Sequence, residues 1–184
     1  MQDRNHAQAV ALLGGIVAVV LSLPGMAEWV LPAGWERGIG AGAGLSARLL
    51  HPLVHVGMLH ALVNVYVLWQ LVFLCRIRLG QLLWAWMVAS TCPVAVALCP
   101  WSWLHGAIAP PGVIGLSGVL FVLLGMVMPR SSRPMRFCGQ LLLWQVPGMV
   151  WGTVAVGMHL YCMVWGVVTC LAVRLWHVIA RHCR

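Results

Sequence analysis

The chemistry open to this chain rests on Ser117, His159, His60 and Asn64, each set in or beside an apolar stretch. Polar groups are costly in such segments and need a task. A serine hydroxyl is a weak nucleophile until a base takes its proton. His159 can be that base, and later the acid that protonates a leaving amine. The tetrahedral intermediate between those steps carries an oxyanion, which needs hydrogen-bond donors. The Asn64 amide and a His60 ring N–H are suitable. The Ser117 backbone N–H is a third donor, because the first N–H groups of a helix have no intrahelical acceptor. The only acids are Asp3, Glu28 and Glu36, none of them inside an apolar run. No carboxylate is therefore at hand for a metal, a proton relay, an aspartyl mechanism or a full triad. A Ser-His dyad remains, with its imidazole oriented by some other contact.

Spacing gives these residues a common setting. His60 and Asn64 are four apart and share one helix face. Ser117 lies in Gly115-Leu116-Ser117-Gly118, at the start of an apolar run, and His159 lies in Gly157-Met158-His159. Hydropathy places His60, Ser117 and His159 about four to seven residues past three helix starts, roughly 6–11 Å below one membrane face. Gly115 and Gly118 flank Ser117, with Gly125 further on, and Gly157 and Gly166 flank His159. Small residues allow close helix approach, which would bring the serine to the histidine.

The elements that must position them are transmembrane helices. The chain has 184 residues, 62% hydrophobic and 8% charged, with a mean hydropathy of +0.93. Soluble domains carry about 25% charged residues, so lipid is part of this chain's solvent. The apolar runs are continuous rather than alternating, which favours helices over a β-barrel. The expected fold is an all-α membrane protein: a single domain of six transmembrane helices near residues 7–23, 56–75, 80–99, 113–128, 137–146 and 152–177. A long amphiphilic connection, residues 25–54, follows the first helix. Pro147-Gly148 is expected to break the fifth.

Charge sets the orientation. With the N-terminus inside, the inner segments hold Arg4, Arg76, Arg78, Arg130, Arg133, Arg136, Arg174, Arg181 and Arg184, against Arg37 and Arg48 outside. This positive-inside bias puts both termini in the cytoplasm. The formal charge of +8 is spread over short interhelical segments without a basic face, so nucleic acid is not an expected partner. The seven cysteines include no CxxC and read as small apolar helix residues. The N-terminal stretch lacks a cleavage-site pattern, so its apolar run is expected to stay as a helix. The tryptophans read mostly as interfacial anchors.

Together the motifs resemble those of the rhomboid intramembrane serine proteases. They are HxxxHxxxxHxxxN (His51, His55, His60, Asn64), the GxSG around Ser117, and a histidine followed seven residues later by Gly166. Arg78-Leu79-Gly80 resembles the family's turn after helix two. The likeness covers the six-helix core, nearly the whole chain. It implies Ser117 as nucleophile, His159 as general base, and His60 and Asn64 as oxyanion stabilisers. His55 matches a histidine at the outer edge of the site. Phe121, Gly115 and Gly118 support it. It also implies a transmembrane protein substrate, no cofactor or metal, and a multi-pass location in a bacterial inner membrane. Three positions depart from the family pattern. Cys162 stands where glycine is common three residues after the histidine. Phe121 replaces a tyrosine that stacks on the imidazole. Ala47-Arg48 replaces a Trp-Arg pair.

Two other classes fit parts of the pattern. A non-catalytic relative would bind transmembrane segments without cutting them, but such chains usually lack one member of the dyad. Membrane histidines such as His51 and His55 could hold haem or a metal. That reading leaves Ser117, Asn64 and the glycines without a task.

Overall fold

The structure is a computed structural model and describes residues 2–30, 44–55, 57–97, 115–150 and 156–182. Helix α1 spans Gln2–Leu21, α2 Met26–Val30 and α3 Leu45–Leu50, which runs into a 3-10 turn at His51–Leu53. Helix α4 spans Met58–Leu74, α5 Leu79–Ala97 and α6 Ser117–Val127, followed by a 3-10 turn at Met128–Arg130. Helix α7 spans Pro134–Val150 and α8 Val156–His182. No strand occurs among the described residues, in line with the all-α expectation.

Short buried side chains decide which faces meet. Ala7, Ala11, Gly15 and Ala18 form a buried stripe along α1. It admits α4 so closely that a Cβ on Gly15 would sit 2.8 Å from Val65 Cγ1. The Trp69 indole N–H then reaches across to the Ala11 carbonyl at 3.0 Å. Helix α6 is the central element: it packs chiefly on α8, then on α5 and α4. Its buried residues, among them Val119, Leu120, Val122, Leu123 and Met126, cover every side of the helix. A helix apolar all round is a helix at the middle of a bundle.

Large apolar side chains are exposed as well as buried. Leu13, Leu59, Leu74, Leu143, Leu175 and Trp176 are all more than 60% exposed. Water tolerates no continuous surface of that kind, whereas lipid matches it. Among the described residues, two helices are long and apolar enough to cross a membrane, Gln2–Leu21 and Gly157–His182, or three if Leu45–Leu53 and Met58–Leu74 make one broken span. The expected count was six. Ser117–Arg130 is apolar but short. At about 1.5–2 Å per residue it covers roughly 22 Å of a hydrocarbon core about 30 Å thick.

Several boundaries differ from expectation. Helix α1 covers Gln2–Leu21 rather than residues 7–23, and the amphiphilic connection is partly helical in α2 and α3. Helix α8 runs to His182, beyond the expected 177, and the expected start at 152 lies outside the described residues. Helix α7 runs unbroken from Pro134 to Val150, through Pro147-Gly148, rather than from 137 to 146. Proline at the first helical position starts a helix well, because its missing N–H has no intrahelical partner there. Proline inside a membrane helix is tolerated when neighbouring groups satisfy the freed carbonyl. The expected 100–112 loop lies outside the described residues.

Candidate functional site

The turn before Ser117 is built from glycine and clamped by histidines. Gly115 has φ +98°, a conformation that side-chain-bearing residues rarely adopt. A Cβ there would also stand 3.2 Å from both His55 Cδ2 and His60 Cε1. The Gly115 N–H donates to the His51 carbonyl at 3.1 Å. The Leu116 N–H donates to His55 Nε2 at 3.2 Å, which places the His55 ring proton on Nδ1. This clamp ends the backbone turn at Leu116 and makes Ser117 the first residue of α6.

Ser117 and His60 therefore sit nearer their helix starts than hydropathy implies. Ser117 opens α6, His60 is the third residue of α4, and His159 is the fourth described residue of α8. Hydropathy continues upstream through Val113-Ile114, so periodicity alone cannot see the turn at Gly115. The stretch before Val156, where the expected start of α8 falls, lies outside the described residues.

Helices α6 and α8 bring Ser117 and His159 to one interface. The space of a Cβ on Gly118 is bounded by Ala89 Cβ at 3.1 Å, Met158 Cε at 3.2 Å and Cys162 Sγ at 3.5 Å. Two turns on, Gly125 and Gly166 meet backbone to backbone. One turn after Ser117, Phe121 stacks on His159 with ring centroids 4.2 Å apart and planes 6° from parallel. The stack fixes the tilt of the imidazole without a carboxylate. Ser117 and His159 are buried at 9% and 7% exposure, low enough to strengthen any polar contact they make.

Asn64 is buried on α4, and its side-chain nitrogen has no hydrogen-bond partner among the described residues. An unpaired buried donor costs about 1–3 kcal/mol, so a guest acceptor would be welcome there. His60 shares the helix but is exposed, with its ring edge-on to His55 at 5.1 Å. It lies within electrostatic reach of both His55 and His159. His51 donates from Nδ1 to the Arg48 carbonyl at 2.6 Å. No group of three or more His, Cys, Asp or Glu fit to hold a metal occurs among the described residues.

Sequence reasoning missed the tryptophans' work. Trp86 on α5 donates to the Leu49 carbonyl at 2.7 Å and pins the segment that carries His51 and His55. Trp69 and Trp84 likewise bridge helices, to Ala11 and to Thr169. These are partners 58, 85 and 37 residues away for Trp69, Trp84 and Trp86, beyond any local pattern.

The clamp makes a checkable prediction. His55→Ala removes the acceptor of the buried Leu116 N–H, which should cost about 1–3 kcal/mol and lower the melting temperature. His55→Gln keeps an acceptor oxygen and should recover part of the loss. Equal melting of all three proteins would show that the Leu116 bond carries no weight.

No family model, no curated protein and no solved structure matches this chain.

Proposed function

We propose that this protein is an intramembrane serine endopeptidase of the rhomboid type, cleaving peptide bonds in or beside transmembrane segments of other proteins. In this reading six helices cross a bacterial inner membrane, and both termini face the cytoplasm. The observation that carries it is the parallel stack of Phe121 on His159, one turn from Ser117 at the start of the most buried helix. It supplies the orienting contact that a dyad without a carboxylate requires.

The shortness of α6 supports the same reading. Measured from an inner boundary at Arg130, α6 and its 3-10 turn together span roughly 22 Å and end about 8 Å short of the outer boundary. A serine opening that helix lies below the lipid surface but in a pocket that water can enter from outside.

The chemistry then follows. His159 takes the Ser117 proton as Oγ attacks the scissile carbonyl, giving a tetrahedral oxyanion. Asn64, a His60 ring N–H and the Ser117 N–H donate to that oxyanion. His159 returns the proton to the leaving amine, and an acyl-enzyme remains. A water, deprotonated by His159, hydrolyses it and frees Ser117. Helix-breaking residues in the substrate favour cleavage, because a helical peptide bond is shielded from attack.

A fluorophosphonate probe tests the nucleophile directly. Purified protein in detergent should be labelled at Ser117, and labelling should vanish in Ser117→Ala. Labelling elsewhere, or none in a folded parent that also leaves a test transmembrane substrate intact, would end this reading and favour a binding role.

A further inference from the structure

At the far end of α6 from Ser117, a cleft of about 150 Å³ opens between α5, α6 and α8. Gln81, Trp84, Met126, Arg130, Thr169 and Val173 line it. Its floor is apolar, with Met126 only 2% exposed. Its wall is closed by a hydrogen-bonded pair: the Trp84 indole N–H donates to Thr169 Oγ1 at 3.0 Å, and that hydroxyl donates to the Trp165 carbonyl at 2.7 Å. Gln81 Oε1 accepts the Arg78 N–H at 3.0 Å, which leaves the Gln81 amide nitrogen as a donor.

The charge in the cleft is one-sided. Arg130 is exposed and brings the positive charge to the lining. Among the described residues no carboxylate lines the cleft, and the acids of the chain are confined to Asp3, Glu28 and Glu36. From Val173 in its lining, an exposed apolar flank continues along α8 to Trp176, three residues on and on the same face. A guanidinium and a neutral amide donor thus meet an apolar cleft with an exposed apolar flank. One molecule joins those two chemistries: a phospholipid with an anionic headgroup.

We propose that this cleft binds an anionic phospholipid, with Arg130 and Gln81 on its phosphate and an acyl chain along Val173 and Trp176. Guanidinium pairs with phosphate in a fork that a zwitterionic headgroup partly neutralises by itself. Basic pockets between helices at the cytoplasmic boundary suit such lipids. The proposal rests on the membrane placement but not on the peptidase chemistry.

Native mass spectrometry of the full chain in neutral detergent tests it, with phosphatidylglycerol and phosphatidylcholine of matched chains as probes. The parent should retain one phosphatidylglycerol about tenfold more readily than phosphatidylcholine, and melt higher with it. Arg130→Gln should bring retention down to the phosphatidylcholine level. Val173→Trp, which fills the cleft from an exposed position, should do the same with Arg130 intact. Helical circular dichroism and a monodisperse elution profile establish that each variant is folded. Undiminished selectivity in Arg130→Gln would overturn the site. Equal stabilisation by inorganic phosphate would also overturn it, as a mere ion contact. Loss of Ser117 labelling in the parent would instead strike the peptidase reading and leave the lipid result standing.

Discussion

Alanine at Ser117 or at His159 is expected to cut cleavage of a transmembrane substrate by at least ~10³-fold. The two side chains act as one unit, because a serine without a base is nearly inert and a base without a nucleophile has nothing to activate. The double variant should therefore be no slower than either single one. Multiplying losses would mean that the residues act separately, and the dyad assignment would fail. Phe121 separates orientation from chemistry. Stacking is worth about 0.5–1.5 kcal/mol, so Phe121→Leu should slow turnover by roughly 2–10-fold. Phe121→Tyr should keep the rate, since the ring survives. A Leu variant as fast as the parent would show that the stack does not position the base.

The stack on His159 was expected only from the family resemblance; local spacing adds that Ser117 and Phe121, four residues apart, share one helix face. The close approach of α6 and α8 was legible from spacing: Gly118, Gly125 and Gly166 are spaced to clear a path. The His60–Asn64 pair was only half legible. A shared face puts both on the same side of α4, yet Asn64 is buried and His60 exposed. His60 lies in the first turn, where neighbouring helices no longer cover it.

What stayed hidden is non-local or set by backbone geometry. Trp69, Trp84 and Trp86 look like membrane-interface anchors from composition, but their indole N–H groups find partners on other helices. In lipid a polar N–H has no water to turn to, so a helix partner wins. The left-handed turn at Gly115 is invisible to hydropathy because Val113 and Ile114 prolong the apolar run. The continuity of α7 through Pro147 shows the same limit: a proline that reads as a breaker does not end the helix, which runs on to Val150.

The crossing of α6 and α8 carries the second large expectation. A Cβ on Gly166 would fall onto the Val122 carbonyl oxygen, with Gly125 Cα at 2.9 Å and the Met126 nitrogen at 3.0 Å. These are backbone atoms of a packed helix, and they cannot swing aside as a side-chain tip can. Gly166→Ala must therefore push the helices apart, at a cost of about 1–3 kcal/mol or more, and Gly166→Leu should prevent folding. Gly14 and Gly139 provide the contrast within the same chain: a Cβ at either meets nothing within 4 Å. Alanine there should leave stability unchanged or raise it by up to ~1 kcal/mol, because both are helical. Thermal denaturation in detergent reads the difference, and a Gly166→Ala protein melting with the Gly14→Ala protein would refute the crossing. Activity should fall further than stability. The crossing lies about two turns from His159, so separation there displaces the base from Ser117. A misplacement of ~1 Å costs on the order of 10²-fold in rate. At a temperature where Gly166→Ala is still fully folded, its cleavage rate should already be down by that order, while Gly139→Ala cuts like the parent.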